Sequence, residues 1–154
     1  MHSPPDQPSC LTRRVRDEVM RFYACRAYLD VRGRLKADRL SQHQIINFVG
    51  VDRILGYLLP VGLNLTKFNL RLRSSSQVVA WGLARSGLGM MIMPDRITTK
   101  FPEFVPVLSE IEPFRIPTWL VANSELRTGS RIWPVFDHLA YGLSPMGPRE
   151  MSAP

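Results

Sequence analysis

The chain has 154 residues, enough for a domain with a core, and 45% of them are apolar, as in ordinary globular proteins. No apolar run approaches the ~18 residues that cross a bilayer, and the start, Met1-His2-Ser3-Pro4-Pro5-Asp6, lacks the charged-then-apolar form of a signal peptide, so a cytoplasmic protein is expected. The net charge of +7, from 20 basic and 13 acidic residues, favours anionic partners in general, but the arginines and lysines are scattered and form no basic helix face with interleaved aromatics, which makes them a solvated surface before a nucleic-acid site.

Residues 1–9 are polar and proline-rich and read as a tail. Residues 20–24 suit a short strand. A short helix opens at Ala27-Tyr28-Leu29 and ends at Gly33. The compact β-branched run at residues 45–49 suits a buried strand, closed by Gly50. Asp52 then caps a helix that carries Ile54, Leu55, Leu58 and Leu59 on one face and stops before Pro60, which lacks the N–H to continue it. Residues 68–73 alternate Phe68, Leu70 and Leu72 with Asn69, Arg71 and Arg73, the pattern of a half-exposed strand.

The clearest unit follows. Ser74, Ser75 and Ser76 offer N-caps, apolar residues recur at helical spacing to Arg85, and Gly87 stands where a helix needs a left-handed residue. Residues 89–93 form a buried strand stopped by Pro94-Asp95. Two more strands are expected at residues 104–108 and 117–122. Ser130 caps a last helix with an apolar stripe of Ile132, Val135, Phe136, Leu139, Ala140 and Leu143, and Pro134 falls in its first turn. Residues 144–154 read as a disordered tail. The strand–helix alternation predicts an α/β fold with a largely parallel sheet.

Catalytic and cofactor signatures are not found. Gly87-Leu88-Gly89 lacks a third glycine and follows a helix instead of a strand, the reverse of a dinucleotide site. No phosphate loop and no nucleophile elbow occur. His2, His43 and His138 have no ligand-spaced partners, so no metal site is expected. Glu110 and Glu112 read as a solvated pair. Cys10 and Cys25 are too few and too far apart for a disulfide framework and are expected as free thiols.

The order of the motifs resembles a known family. Phe22-Tyr23-Ala24-Cys25-Arg26-Ala27-Tyr28-Leu29 is similar to a strand leading into an A-Y-L helix start, and Asp38-Arg39-Leu40-Ser41-Gln42-His43 to the pattern D-L-x-x-H. Arg85-Ser86-Gly87-Leu88-Gly89-Met90-Met91-Ile92-Met93-Pro94 is similar to R-x-G-L-G-x-x-x-x-P. Phe104-Val105-Pro106-Val107-Leu108 is similar to L-V-x-V-L, and Arg131-Ile132-Trp133-Pro134-Val135-Phe136-Asp137-His138-Leu139-Ala140 to R-I-R-x-V-F-D-F-L-A. Together they span residues ~11–143 and resemble the C-terminal part of the effector-binding domain of LysR-type transcriptional regulators. The departures are Cys25 for a usual serine, Trp133 for arginine, His138 for phenylalanine, and Pro60 within a helix.

The resemblance implies a fold like the type 2 periplasmic binding proteins, with two Rossmann-like α/β subdomains and subdomain I incomplete. Residues 1–21 would end a first pass through subdomain I, residues 22–92 would form the effector-binding subdomain II, and residues 93–143 would return to subdomain I. It implies a small-molecule effector held between subdomains and a homodimer or tetramer for full-length members. DNA would be contacted only through a winged helix-turn-helix that this sequence does not include, and no cofactor, enzyme activity or membrane is implied. A nonfunctional truncated remnant of such a regulator is the alternative.

Two groups of residues are candidates for the effector site. Ser74, Ser75, Ser76 and Gln77 open a helix whose free N–H groups and positive dipole end suit an anionic effector, and they equally suit plain capping. Asn47 and Phe48 end a strand at the carboxyl edge, where open α/β sheets place ligands, although Phe48 also suits the core. Asp52 and Arg53 follow, able to pair with each other or to meet a ligand.

Overall fold

The computed structural model describes residues 10–48, 50–63, 65–123 and 132–144. Their contacts fall into two units, a larger one of Val19–Phe114 and a smaller one of Met1–Glu18 with Arg115–Pro154. Strand β1 (Cys10–Cys25) begins in the smaller unit and ends in the larger, so the short strand expected at residues 20–24 is the last part of a 16-residue strand.

In the larger unit the strand order is β2-β3-β1-β4. β1 runs antiparallel to β3 (Met90–Pro94), from Met20↔Pro94 to Ala24↔Met90, and antiparallel to β4 (Phe104–Val107), from Phe22↔Val107 to Cys25↔Phe104. β2 (Ile45–Ile46) is parallel to its neighbour β3, with Ile45 opposite Met90. The largely parallel sheet is thus corrected to a mixed one. Alternation along the sequence fixes strand direction only between strands joined by helical crossovers, and β1 and β4 enter the sheet by other routes. The β1–β4 pairing also holds β4 in the larger unit, whereas residues 93–143 were expected to return to subdomain I.

The core of this unit is apolar on both faces of the sheet. Phe22, Ile45, Ile46, Met90, Met91 and Met93 are its largest fully buried strand side chains, and Leu58 and Leu70 belong to the same core. Helix α1 (Arg26–Arg32) starts directly from β1, buries Tyr28, and ends at Gly33, whose φ of 69° lies in the left-handed region. Helix α2 (Val51–Leu58) takes Gly50 as its N-cap, so Asp52 is not the cap but an exposed residue of the first turn, where its charge suits the helix dipole. The chain continues after Leu58 as a single 3-10 turn containing Pro60.

The strand expected at residues 68–73 does not form. Lys67–Leu70 is a 3-10 turn closed by a reciprocal cap between Thr66 and Asn69, and Arg73 keeps only an isolated parallel bridge to Asn47. Two donations from the Asn69 amide, to the carbonyls of Ser41 (2.7 Å) and His43 (3.0 Å), anchor the turn, and Phe68, expected inside, is 67% exposed. Local side-chain bonds here outweigh strand propensity. Helix α3 (Gln77–Arg85) forms as expected, capped by Ser76, whose Oγ accepts from the Val79 N–H. Helix α4 (Asp95–Thr98) is one turn after β3.

The smaller unit contains the first part of β1, strand β5 (Phe114–Asn123), which pairs with β1, and helix α5 (Ile132–Leu143). Phe136 and Ala140 of α5 and Val15 of β1 are buried, and Arg13 pairs with Asp137 at 2.7 Å. Val135 and Leu139, expected in the buried stripe, are exposed. Pro134 lies in the first turn, and the Ser130 cap falls outside the described residues, as do the tail readings for residues 1–9 and 145–154. Ser144 donates its hydroxyl to the Ala140 carbonyl at 2.7 Å. Among the described residues no helix is long and apolar enough to cross a membrane.

Two glycines of the larger unit differ in what a methyl group would meet. A Cβ at Gly89 would stand 2.7 Å from the Gln44 carbonyl oxygen, the backbone that receives the Met90 N–H, whereas a Cβ at Gly82 on α3 meets nothing within 4 Å. Gly89→Ala is therefore expected to destabilise the fold by about 1–3 kcal/mol. Gly82→Ala is expected to stabilise it by about 0.5–1 kcal/mol through helix propensity. Urea unfolding of both variants checks the pair of signs.

Candidate functional site

The carboxyl end of β2 is where the sequence-derived candidates converge. Asn47 extends β2 by one residue. Its N–H donates to the Leu72 carbonyl (3.2 Å), and its carbonyl accepts from the Ser74 N–H (3.1 Å), so Arg73 lies beside it in parallel register. Because 73, β2 and β3 all run in the same direction, the segments leaving them point to one edge of the sheet. There α3 starts three residues after Ser74, and α2 starts four residues after Asn47. Two helices of eight and nine residues thus begin at this edge with the positive end of the helix dipole, the Arg53 N–H bonded to the Gly50 carbonyl and the Val79 N–H to Ser76 Oγ.

The Asn47 side chain is the anomaly of this edge. It is only 2% exposed, yet neither Oδ1 nor Nδ2 has a hydrogen-bond partner among the described residues. Buried amides are nearly always bonded, and an orphaned one costs free energy. Asn69, equally buried, donates twice and accepts from the Thr66 N–H. Gln44, three residues before Asn47, donates from Nε2 to the Phe68 carbonyl while its buried Oε1 is also without a partner among the described residues.

The serines divide their work. Ser76 caps α3, the Ser74 hydroxyl accepts the Ser76 N–H at 3.1 Å, and Ser75 is exposed with no side-chain bond among the described residues. Gln77 is half-buried in the first turn. Phe48 stands at the surface instead of in the core, 37% exposed. Asp52 and Arg53 are exposed and make no ion pair with each other among the described residues. A backbone hydrogen bond joins Asn47 to Ser74, whose hydroxyl in turn holds the Ser76 N–H, and Arg73 stands beside Asn47 in a parallel bridge. The structure does not bond Asp52 or Arg53 to either group. Arg71 stacks over the Phe68 ring at 4.7 Å nearby in sequence.

Two cavities of the larger unit lie away from this edge. One of about 220 Å³ lies between β1, β4 and residues 111–114, and one of about 470 Å³ between α1 and β4. None of the eight candidate residues lines either. Among the described residues no three His, Cys, Asp or Glu side chains are grouped closely enough to hold a metal ion.

The approach to Asn47 is braced by His43, 8% exposed, whose Nδ1 lies 2.9 Å from the Tyr28 hydroxyl. Burial pushes the Tyr28 phenol up and keeps it protonated, and its hydroxyl shares with His43 Nδ1 a hydrogen bond whose donor is set by the imidazole tautomer. Burial, with Arg32 adding to it, pushes the His43 imidazole below its ordinary 6.5. The unfolded chain then takes up a proton before the folded one. The stability His43 lends is complete above pH 6.5 and is lost as pH falls through the depressed folded value. Chemical denaturation from about pH 7.5 down to about pH 5.5 is expected to show wild-type stability falling and His43→Gln stability falling less. Equal slopes for the two proteins would mean that His43 does not titrate in this range.

No family model and no curated protein matches the chain. Solved structures do. The regulatory domain of CrgA, a LysR-type transcriptional regulator from Neisseria meningitidis, is similar at 22% identity with a TM-score of 0.76, over 92% of this chain and 72% of that one. Full-length CrgA matches at 19% and 0.68, over 92% of this chain and 50% of its own. The Vibrio cholerae virulence activator AphB, of the same family, matches at 18% and 0.65, over 90% and 49%. The chain spans about half the length of these full-length regulators. Its fold is that of LysR regulatory domains, the α/β fold like the type 2 periplasmic binding proteins.

Proposed function

We propose that this chain is the effector-sensing part of a LysR-type transcriptional regulator and that it reads a small anionic molecule at the carboxyl end of β2. The neighbours in fold are transcriptional regulators and not enzymes, which supports a sensing role without catalysis. In this reading Asn47 supplies a donor and an acceptor to the ligand, the first turn of α3 with Ser74, Ser75, Ser76 and Gln77 supplies N–H and hydroxyl groups, Arg53 and Arg73 supply positive charge, and Phe48 supplies an apolar wall. Asp52 at the start of α2 sets a local limit on negative charge. The observation that carries the proposal is the buried Asn47 amide with no partner among the described residues. A cytoplasmic regulator working as a homodimer or tetramer is the corresponding cellular setting.

A structural asparagine and a ligand-reading one respond oppositely to replacement. Asn47→Leu removes an orphaned polar group, so stability is expected to hold or to rise by up to about 1–3 kcal/mol. Asn69→Leu strips the Ser41 and His43 carbonyls of their donors and is expected to lower stability by a similar amount, about 1–3 kcal/mol. Thermal-shift titration with a panel of mono- and dicarboxylates, each paired with its neutral amide, is expected to find acids that stabilise the wild type and leave Asn47→Leu unmoved. A loss of stability in Asn47→Leu together with undiminished carboxylate binding would remove Asn47 from the site.

The same reading concerns DNA. Sequence-specific recognition needs side chains carried into a groove by a dedicated element, and no such element is recognisable in these 154 residues. Fluorescence anisotropy is expected to give equal, salt-sensitive affinities for unrelated duplexes of one length, as the +7 charge alone would produce. A marked preference for one duplex would contradict the assignment of DNA reading to another segment.

A further inference from the structure

We propose that the cavity between α1 and β4 is a second binding site, for a compact zwitterion with an apolar side chain, the chemistry of a branched-chain amino acid. The cavity measures about 470 Å³, within the range of small-molecule sites, and it lies wholly in the larger unit. Its apolar wall is Leu29 and Leu35 on one side and Val107 and Leu108 on the other, and Asp30 and Arg34 line the same space.

Those two charges are four residues apart, a spacing that on a continuous helix makes an ion pair. Here they make none among the described residues, because Gly33, with its φ of 69° and its N–H bonded to the Leu29 carbonyl at 2.7 Å, ends the helix between them. Both residues are exposed and line one cavity without forming an ion pair with each other. Glu110, across the cavity, is already engaged: its Oε1 accepts the Ala37 N–H at 2.9 Å, and it feels Arg34 only through space. The far wall is shaped by a costly backbone conformation. Leu108 has a φ of 56°, which leucine rarely adopts, and its buried side chain and the Ile111 N–H bond to its carbonyl (2.9 Å) hold it there. That turn swings Ser109 and Glu110 toward α1 and gives the space its second wall. An ammonium group on Asp30, a carboxylate on Arg34 and an apolar side chain against the leucines would satisfy all three features at once.

L-leucine is the probe, with leucinamide lacking the carboxylate and N-acetylleucine lacking the ammonium. Titrated into the isotope-labelled full chain, leucine is expected to give saturable amide shifts in residues 29–37 and 107–110. Either analogue, or leucine with Asp30→Asn or Arg34→Gln, is expected to bind about tenfold more weakly, the effect of losing one charge-assisted bond. Both substitutions are at exposed positions, and unchanged amide spectra without ligand confirm that the fold is intact. Three results would overturn the site: no saturable shifts with leucine, equal binding of the three probes, or shifts confined to residues 47 and 73–77. The last would leave the proposed effector site standing and this one refuted.

Discussion

Residues 22–24 of β1 bear paired neighbours on both sides, β3 and β4, Cys25 pairs with β4, and all four are buried. A central strand must be apolar on both faces, and Phe22-Tyr23-Ala24-Cys25 is so. The rest of the larger unit is arranged around that strand. β3 brings β2 to its parallel flank and with it Asn47. β4 brings the Leu108 turn to α1. Helix α1 begins at the residue after Cys25, and the Cys25 thiol donates to the Arg85 carbonyl at 3.4 Å, tying the strand to the end of α3. At Gly87 the packing leaves no slack, since a Cβ would stand 3.3 Å from Ala27 Cβ and from the Tyr28 nitrogen. Gly87 therefore answers two demands, the positive φ that ends α3 and a close approach to α1.

The elements legible in the sequence are those whose signals are local and mutually consistent. Helix α3 has a serine cap, helical apolar spacing and a terminal glycine, and it forms at residues 77–85. The buried strand of methionines before Pro94 is equally plain. The front of β1 was illegible because Arg13, Arg14, Arg16, Asp17 and Glu18 hide any apolar alternation. The charges are accommodated by pairing: Arg16 and Glu18, two apart and hence on one face of a strand, meet at 2.7 Å, and Arg14 pairs with Asp17. Residues 68–73 failed for the opposite reason. Their alternation is genuine, but Thr66 and Asn69 close a reciprocal cap, and the alternation then describes a turn with an exposed Phe68. Pairing direction was beyond reach, because hydrophobic patterning locates strands and is silent about which neighbours they meet.

For the candidate site, sequence could name residues but could not rank them. Serines 74–76 offered three hydroxyls for one cap, and the structure assigns Ser76 to the cap and Ser74 to its support. Arg73 was not singled out at all. Its place beside Asn47 depends on one parallel bridge between segments 26 residues apart, which no local pattern announces.

The contrast between Asn47 and Asn69 carries the most weight in deciding what that edge is for. The two have the same side chain and nearly the same burial, and composition or hydropathy treats them alike. Asn69 is saturated: its amide bonds two carbonyls and its oxygen takes the Thr66 N–H, so it is a fastener for the segment leading to β2. Asn47 has its backbone fully engaged and its side chain not engaged at all among the described residues. A position selected only for packing at the end of Ile45-Ile46 would be better filled by another apolar residue, because an unbonded buried amide is a net cost. The same edge gathers two helix N-termini, the guanidinium-bearing residues Arg53 and Arg73, and the exposed Asp52 carboxylate. An unbonded buried amide beside two helix N-termini, with Asp52, Arg53 and Arg73 close in sequence, is the feature on which the proposed effector site rests.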